Sequence, residues 1–151
     1  MNGMISDLKL QQIEKRLDTQ LKDFGSMKQR AEIYIVVCSL FMTLPIANMT
    51  VFVQSTLSEI GFSIGLVLLL FSILLILRGV NVTKPTDLVG VDSRAKTKKA
   101  FVQELTENYR FHIRRNTQVR ARGESFLILA EKFIMMSVCM FVASMLIGMI
   151  L

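Results

Sequence analysis

Residues 94–151 read RAKTKKAFVQELTENYRFHIRRNTQVRARGESFLILAEKFIMMSVCMFVASMLIGMIL, a basic stretch that passes directly into an apolar one. From Arg94 to Arg122 there is no proline or glycine, and Val102, Leu105, Tyr109, His112, Asn116 and Val119 recur at spacings of three and four. That spacing gathers them on one face of a helix, a seam of the a/d kind whose middle layers are polar. Lysines and arginines at 94, 96, 98, 99, 110, 114, 115, 120 and 122 cover the remaining surface. Beyond Glu131 and Lys132, Ile134–Leu151 carries no charge and is long enough for a membrane span.

Composition points the same way. With 151 residues, 52% of them hydrophobic, the chain is too apolar for an ordinary soluble domain of its size, and a bilayer must supply part of its solvent. The net charge of +6 fits the basic flanks of membrane helices as readily as a nucleic-acid surface. Two cysteines, Cys38 and Cys139, lie inside apolar runs and the one histidine is His112, an inventory that builds neither a zinc site nor a disulfide framework. No cofactor is expected.

Upstream, Ile33 to Gln54 is a first span, about 33 Å of helix at 1.5 Å per residue. Pro45 should kink it, either as a hinge or as a proline that membrane helices simply tolerate. Ser55 to Glu59 is a short turn and Ile60 to Leu77 a second span, so 33–77 forms a hairpin. Gly61 and Gly65 form a small-xxx-small pattern with Ser72 near the same side; Ser144 and Gly148 form another, and Ala130, Ser137 and Ser144 recur every seven residues. Small residues let helix backbones approach closely in lipid, within one chain or between subunits. Methionines 135, 136, 140, 145 and 149 supply a pliable apolar surface and are expected as core filler.

Before the first span, Leu10, Ile13, Leu17, Leu21 and Phe24 share a helix face opposite Glu14, Lys15, Arg16, Asp18, Lys22 and Asp23. Ser6 or Asp7 is expected to cap this amphipathic helix, which either lies on the membrane, packs on the other cytosolic helix, or binds a partner. The stretch lacks the pattern of a cleaved signal peptide. Between the second span and the basic helix, Gly79 to Asp92 reads as a loop containing Asn81, Thr83, Pro85 and Gly90.

Charge placement sets topology. The lysines and arginines before Ile33, those between Arg78 and Arg122, and Lys132 all fall on one side of the three spans, and the turn between the first two has none. Basic segments stay cytoplasmic, so the expectation is an all-α inner-membrane (plasma-membrane) protein with three transmembrane helices, N-in and C-out. Its units are a cytosolic amphipathic helix (1–32), a two-span hairpin (33–77), a cytosolic loop and basic helix (78–125), and a third transmembrane helix (126–151).

No carboxylate pair, metal motif, phosphate loop or mid-span charge stands out, so the chain is expected not to be an enzyme or an ion-coupled carrier. Function then rests on the basic helix, where Arg110, Arg114, Arg115, Arg120 and Arg122 stand beside Tyr109 and His112. These arginines contact either the anionic lipids of the inner leaflet or a nucleotide, a nucleic acid or an acidic protein. His112 and Asn116 form a polar layer of the kind that sets the register and copy number of helix assemblies.

The layout of amphipathic helix, close hairpin, basic helix with Tyr109, Arg110, Arg114, Arg115, Arg120, Arg122 and Glu124, and final apolar helix resembles small transmembrane effectors of prokaryotic anti-phage systems. The similar groups are the SLATT-type two-span effectors and the transmembrane effectors of Pycsar and retron systems. This chain departs from them in its third span and in having no recognisable sensing domain, which assigns sensing to a cytosolic partner or to the basic helix. The resemblance implies a homo-oligomer that breaches the inner membrane when triggered. The alternative, from the residues alone, is a structural or accessory subunit of a larger membrane complex.

Overall fold

The computed structural model describes residues 2–82 and 98–150, which form four helices: α1 (Asn2–Ala47), α2 (Met49–Phe52), α3 (Thr56–Val82) and α4 (Lys98–Ile150). Three of them, α1, α3 and α4, are long and apolar enough to cross a membrane. The 46 residues of α1 and the 53 of α4 correspond to about 69 and about 80 Å of helix. Both therefore extend well past the roughly 30 Å that hydrocarbon requires.

The N-terminal amphipathic stretch and the first span are one helix, with no break at residues 32 and 33. The reason is a period that runs through the boundary. Ile13, Leu17, Gln20, Phe24, Met27, Ala31, Tyr34, Cys38, Met42 and Pro45 recur at spacings of four and three, and each is buried or half-buried. Leu21, expected on this face, is instead 45% exposed, and Gln20 takes its place in the seam. Helix α1 also begins ahead of Ser6 and Asp7, so neither is its N-cap.

The first span ends earlier than Gln54. Pro45 lies in the last turn of α1 and provides no N–H for the preceding turn; three residues on, Asn48 leaves helical backbone at φ −115° and ψ 34°. Its side-chain amide donates back to the Leu44 carbonyl at 2.9 Å. The break is thus at Asn48 and ends the helix, where a kink within a continuing span was expected. The connection also lies earlier than Ser55 to Glu59: it runs from Asn48 to Ser55 through α2, and Thr56 already opens α3. Ser58 Oγ accepts from the Ser55 backbone N–H at 2.9 Å and the Ser58 N–H donates to Ser55 Oγ at 3.3 Å. This reciprocal pair satisfies donors that a helix start leaves open. At its other end α3 continues through Val82, so Gly79–Val82 is helix where a loop was expected. The remainder of that loop and the start of the basic helix at Ser93 or Arg94 lie outside the described residues.

Two register rules organise the bundle. Gln20 bonds Thr117, Asp23 pairs with Arg120, and Tyr34 bonds Glu131, each with a sequence offset of 97; α1 and α4 therefore run parallel and in register. In contrast, Gly61 lies against Ser144, Gly65 against Phe141, and Gly79 against Phe126, so α3 runs antiparallel to α4. On α3 the buried positions other than Leu75 fall in two rows, each with a repeat of seven residues, a small one (Ser58, Gly65, Ser72, Gly79) and a large one (Phe62, Leu69, Ile76). Helix α4 matches them with Asn116, Gly123, Ala130, Ser137 and Ser144 in its small row and Leu127, Ile134 and Phe141 in its large one.

Candidate functional site

The small residues singled out in sequence meet one another inside the chain. A Cβ added to Gly65 would lie 2.7 Å from Phe141 Cε1, and one on Gly61 would lie 2.5 Å from Ser144 Oγ. The large row of α4 therefore lies in the hollow left by the small row of α3. Ser137 Oγ donates to the Gly65 carbonyl at 2.7 Å, an interhelical bond at a fully buried position. Ser72 and Ser144, also buried, donate within their own helices, to the carbonyls of Leu68 and Met140, at 2.8 Å each. Gly148 receives the Gln54 side chain, with a Cβ there 3.3 Å from Gln54 Cβ. Phe52, Phe62 and Phe141 close this end of the bundle with centroids 5.6 to 6.3 Å apart.

Pro45 is buried and, with Phe41, Asn48, Phe52, Phe141 and Met145, lines an apolar groove of about 490 Å³. Four of the five methionines do not fill the core as expected: Met140 is half-buried, but Met135, Met136, Met145 and Met149 are exposed. Together with Ile33, Val36, Leu40, Leu44, Val67, Leu70 and Leu74 they make an outward apolar surface, the arrangement lipid stabilises.

Where the apolar halves of the helices end, a polar belt begins. Tyr34 OH donates to Glu131 at 3.2 Å and accepts from Arg30 Nη2 at 3.4 Å. The Tyr34 hydroxyl, then Glu124 and Glu131, hold the Arg30 guanidinium above its ordinary range, so it stays charged. Arg78 stacks its guanidinium 5.7 Å from the Phe126 ring centroid.

Beyond the belt, among the described residues, α1 and α4 face each other, and their seam turns polar. Gln20 Nε2 donates to Thr117 Oγ1 at 2.9 Å and to the Ile113 carbonyl at 3.3 Å. Asn116 is 1% exposed, while His112 is half-buried with its ring edge-on to Phe111. Arg120 pairs with Asp23 and lies 4.0 Å from Glu124.

The five arginines do not form one patch. At about 100° per residue, Arg110 and Arg114 are roughly 40° apart on α4, Arg115 and Arg122 roughly 20° apart on a different side, and Arg120 on a third. Arg110 and Arg114 line a groove of about 460 Å³ with Ile113 and with Gln12, Ile13 and Arg16 of α1. Sequence reading missed Arg16, Gln12 and Gln20 as partners of the basic helix, and Ser58 and Gly79 as members of the small row. The four-three period carried past the polar and small positions finds Gln20, Ser58 and Gly79. The meeting of Arg16 with Arg110 follows from the parallel register, which no local pattern encodes. Among the described residues no group of three or more histidine, cysteine, aspartate or glutamate side chains gathers, so the chemistry of this surface is that of guanidinium and amide.

Comparison with protein-family models, with curated proteins and with solved structures finds no match.

Proposed function

We propose that this is a non-enzymatic inner-membrane protein, N-in and C-out, that self-associates and perturbs the bilayer as an effector, with anti-phage defence as its setting. The observation that carries the reading is that α1 and α4 each run unbroken from a charged half into an apolar half. A helix without a hinge is a lever: a shift of the α1–α4 pair in the cytosol must reach the bilayer as rotation or tilt of two spans. Among the described residues, the Asn48 break beside the apolar groove supports a joint at the proposed outer end, where such a tilt can be absorbed. The amphipathic half of α1 packs along the basic half of α4, which supports reading the pair as a cytosolic stalk. The stalk is the surface for a sensor protein, a nucleotide or a nucleic acid, and the arginines nearest the spans meet anionic headgroups.

Liposomes carrying the purified protein test this. The proposal expects release of an entrapped dye and a detergent-solubilised mass that is a whole multiple of the chain; a monomer that never releases dye contradicts it. A second reading, an accessory subunit of a larger membrane complex, draws support from the small-residue faces being occupied within the chain. That reading expects a stoichiometric membrane partner on purification and an unstable isolated chain.

A further inference from the structure

We propose that the groove between α1 and α4 lined by Gln12, Ile13, Arg16, Arg110, Ile113 and Arg114 binds a soluble, phosphate-bearing small molecule of nucleotide size. Its volume of about 460 Å³ falls inside the roughly 300–1,000 Å³ of small-molecule sites. Exposed arginines from two helices, Arg16 of α1 and Arg110 and Arg114 of α4, line it, and among the described residues no carboxylate is a lining side chain. None of the three forms an ion pair among the described residues, whereas Arg120, a few residues along, is held by Asp23 and Glu124. Like charges that share one groove repel one another, and an anion bound there relieves that cost. The guanidinium fork matches phosphate oxygens two at a time, which is why arginine suits such a site better than lysine. Ile13 and Ile113 add apolar surface and Gln12 an amide, which gives the organic part of the ligand something to rest on.

Two competing anions fit less well. Arg16 stands 14 residues from the belt residue Arg30, and Arg114 12 residues from the belt residue Phe126, about 21 and about 18 Å along a helix and more than about two screening lengths at physiological salt. A headgroup fixed in the bilayer does not reach that far, a step that rests on the topology proposed above. A nucleic acid needs a continuous basic track, and Arg115 and Arg122 lie on another side of α4 while Arg120 is already paired.

The experiment is calorimetric titration of the full chain in neutral detergent with ATP, pyrophosphate, adenosine and a single-stranded oligonucleotide, beside flotation with vesicles with and without phosphoinositide. Binding is read without any permeabilisation, so its failure is separate from failure of the effector reading. ATP and pyrophosphate are expected to bind and adenosine to bind at least roughly tenfold more weakly. Arg16→Gln and Arg114→Gln should each weaken ATP binding about tenfold or more, Arg114→Lys by less, and Arg122→Gln not measurably. Helical content measured by circular dichroism should be unchanged in all four. The proposal is overturned if neither phosphate probe binds, if only phosphoinositide vesicles or the oligonucleotide bind, or if Arg122→Gln weakens ATP as much as Arg114→Gln does.

Discussion

The α3–α4 seam and the α1–α4 stalk use the same four-three spacing with side chains of different size. In the seam, glycines and serines bring two backbones together and the bond from Ser137 to the Gly65 carbonyl ties them. In the stalk, Leu17, Phe24 and Met27 are buried while Gln20, Asp23 and Arg120 pair across the helices. Lipid tails are as apolar as leucine, so burying a large side chain between helices gains little there and close approach decides. Water restores the hydrophobic drive, and large side chains regain their value. A helix passing from one solvent to the other can keep its period and change only the size of what it presents.

Substitutions can break that contrast. The largest effect is expected from Phe24→Ala in the stalk, where removing a buried aromatic costs roughly 3–5 kcal/mol. Hydrogen exchange should quicken along residues 13–31 and 109–120 and stay slow in the α3–α4 seam. Gly65→Val comes next: the added carbons meet the Phe141 ring, and overpacking of this kind costs roughly 1–3 kcal/mol. Its control is Gly25→Ala, a helical glycine with nothing within 4 Å of the added carbon, which should instead gain up to about 1 kcal/mol. Unfolding in detergent with increasing denaturant separates the two. Ser137→Ala should lose about 0.6 kcal/mol, the average for such a bond between membrane helices. Smallest is Asp23→Asn: both members of the pair with Arg120 are about two-fifths exposed, so the loss should stay under about 1 kcal/mol and vanish in high salt.

The three apolar helices and the continuity of α4 were legible in sequence because uncharged runs and an unbroken three-four spacing are local signals. The join of α1 across residues 32 and 33 was not, because Gln20 and Ala31 hide the period from a reading that counts only large apolar residues. The end of α1 was misjudged in the same way: proline in a membrane helix is compatible with a kink or an end, and Asn48, whose amide takes the Leu44 carbonyl, decides for the end. The small rows showed through Ser137, Ser144, Gly61 and Gly65. Gly79 escaped because Arg78 and the polar residues after it look like a loop. The arginine groove was half visible, since Arg110 and Arg114 share a face of α4, but the third cation comes from a helix whose parallel register only the fold supplies.

The central claim is that α1 and α4 carry the cytosol's side of the protein into the bilayer as parallel helices, with the α2–α3 connection on the opposite face. In a chain with Cys38 and Cys139 replaced by alanine, single cysteines at Gln12, Arg122 and Glu59 test it directly with a membrane-impermeant maleimide on intact cells. The account predicts labelling of the Glu59→Cys chain at once, and of Gln12→Cys and Arg122→Cys only after the cells are opened. Equal labelling of all three in intact cells, or labelling of Gln12→Cys and Glu59→Cys from the same side, contradicts it.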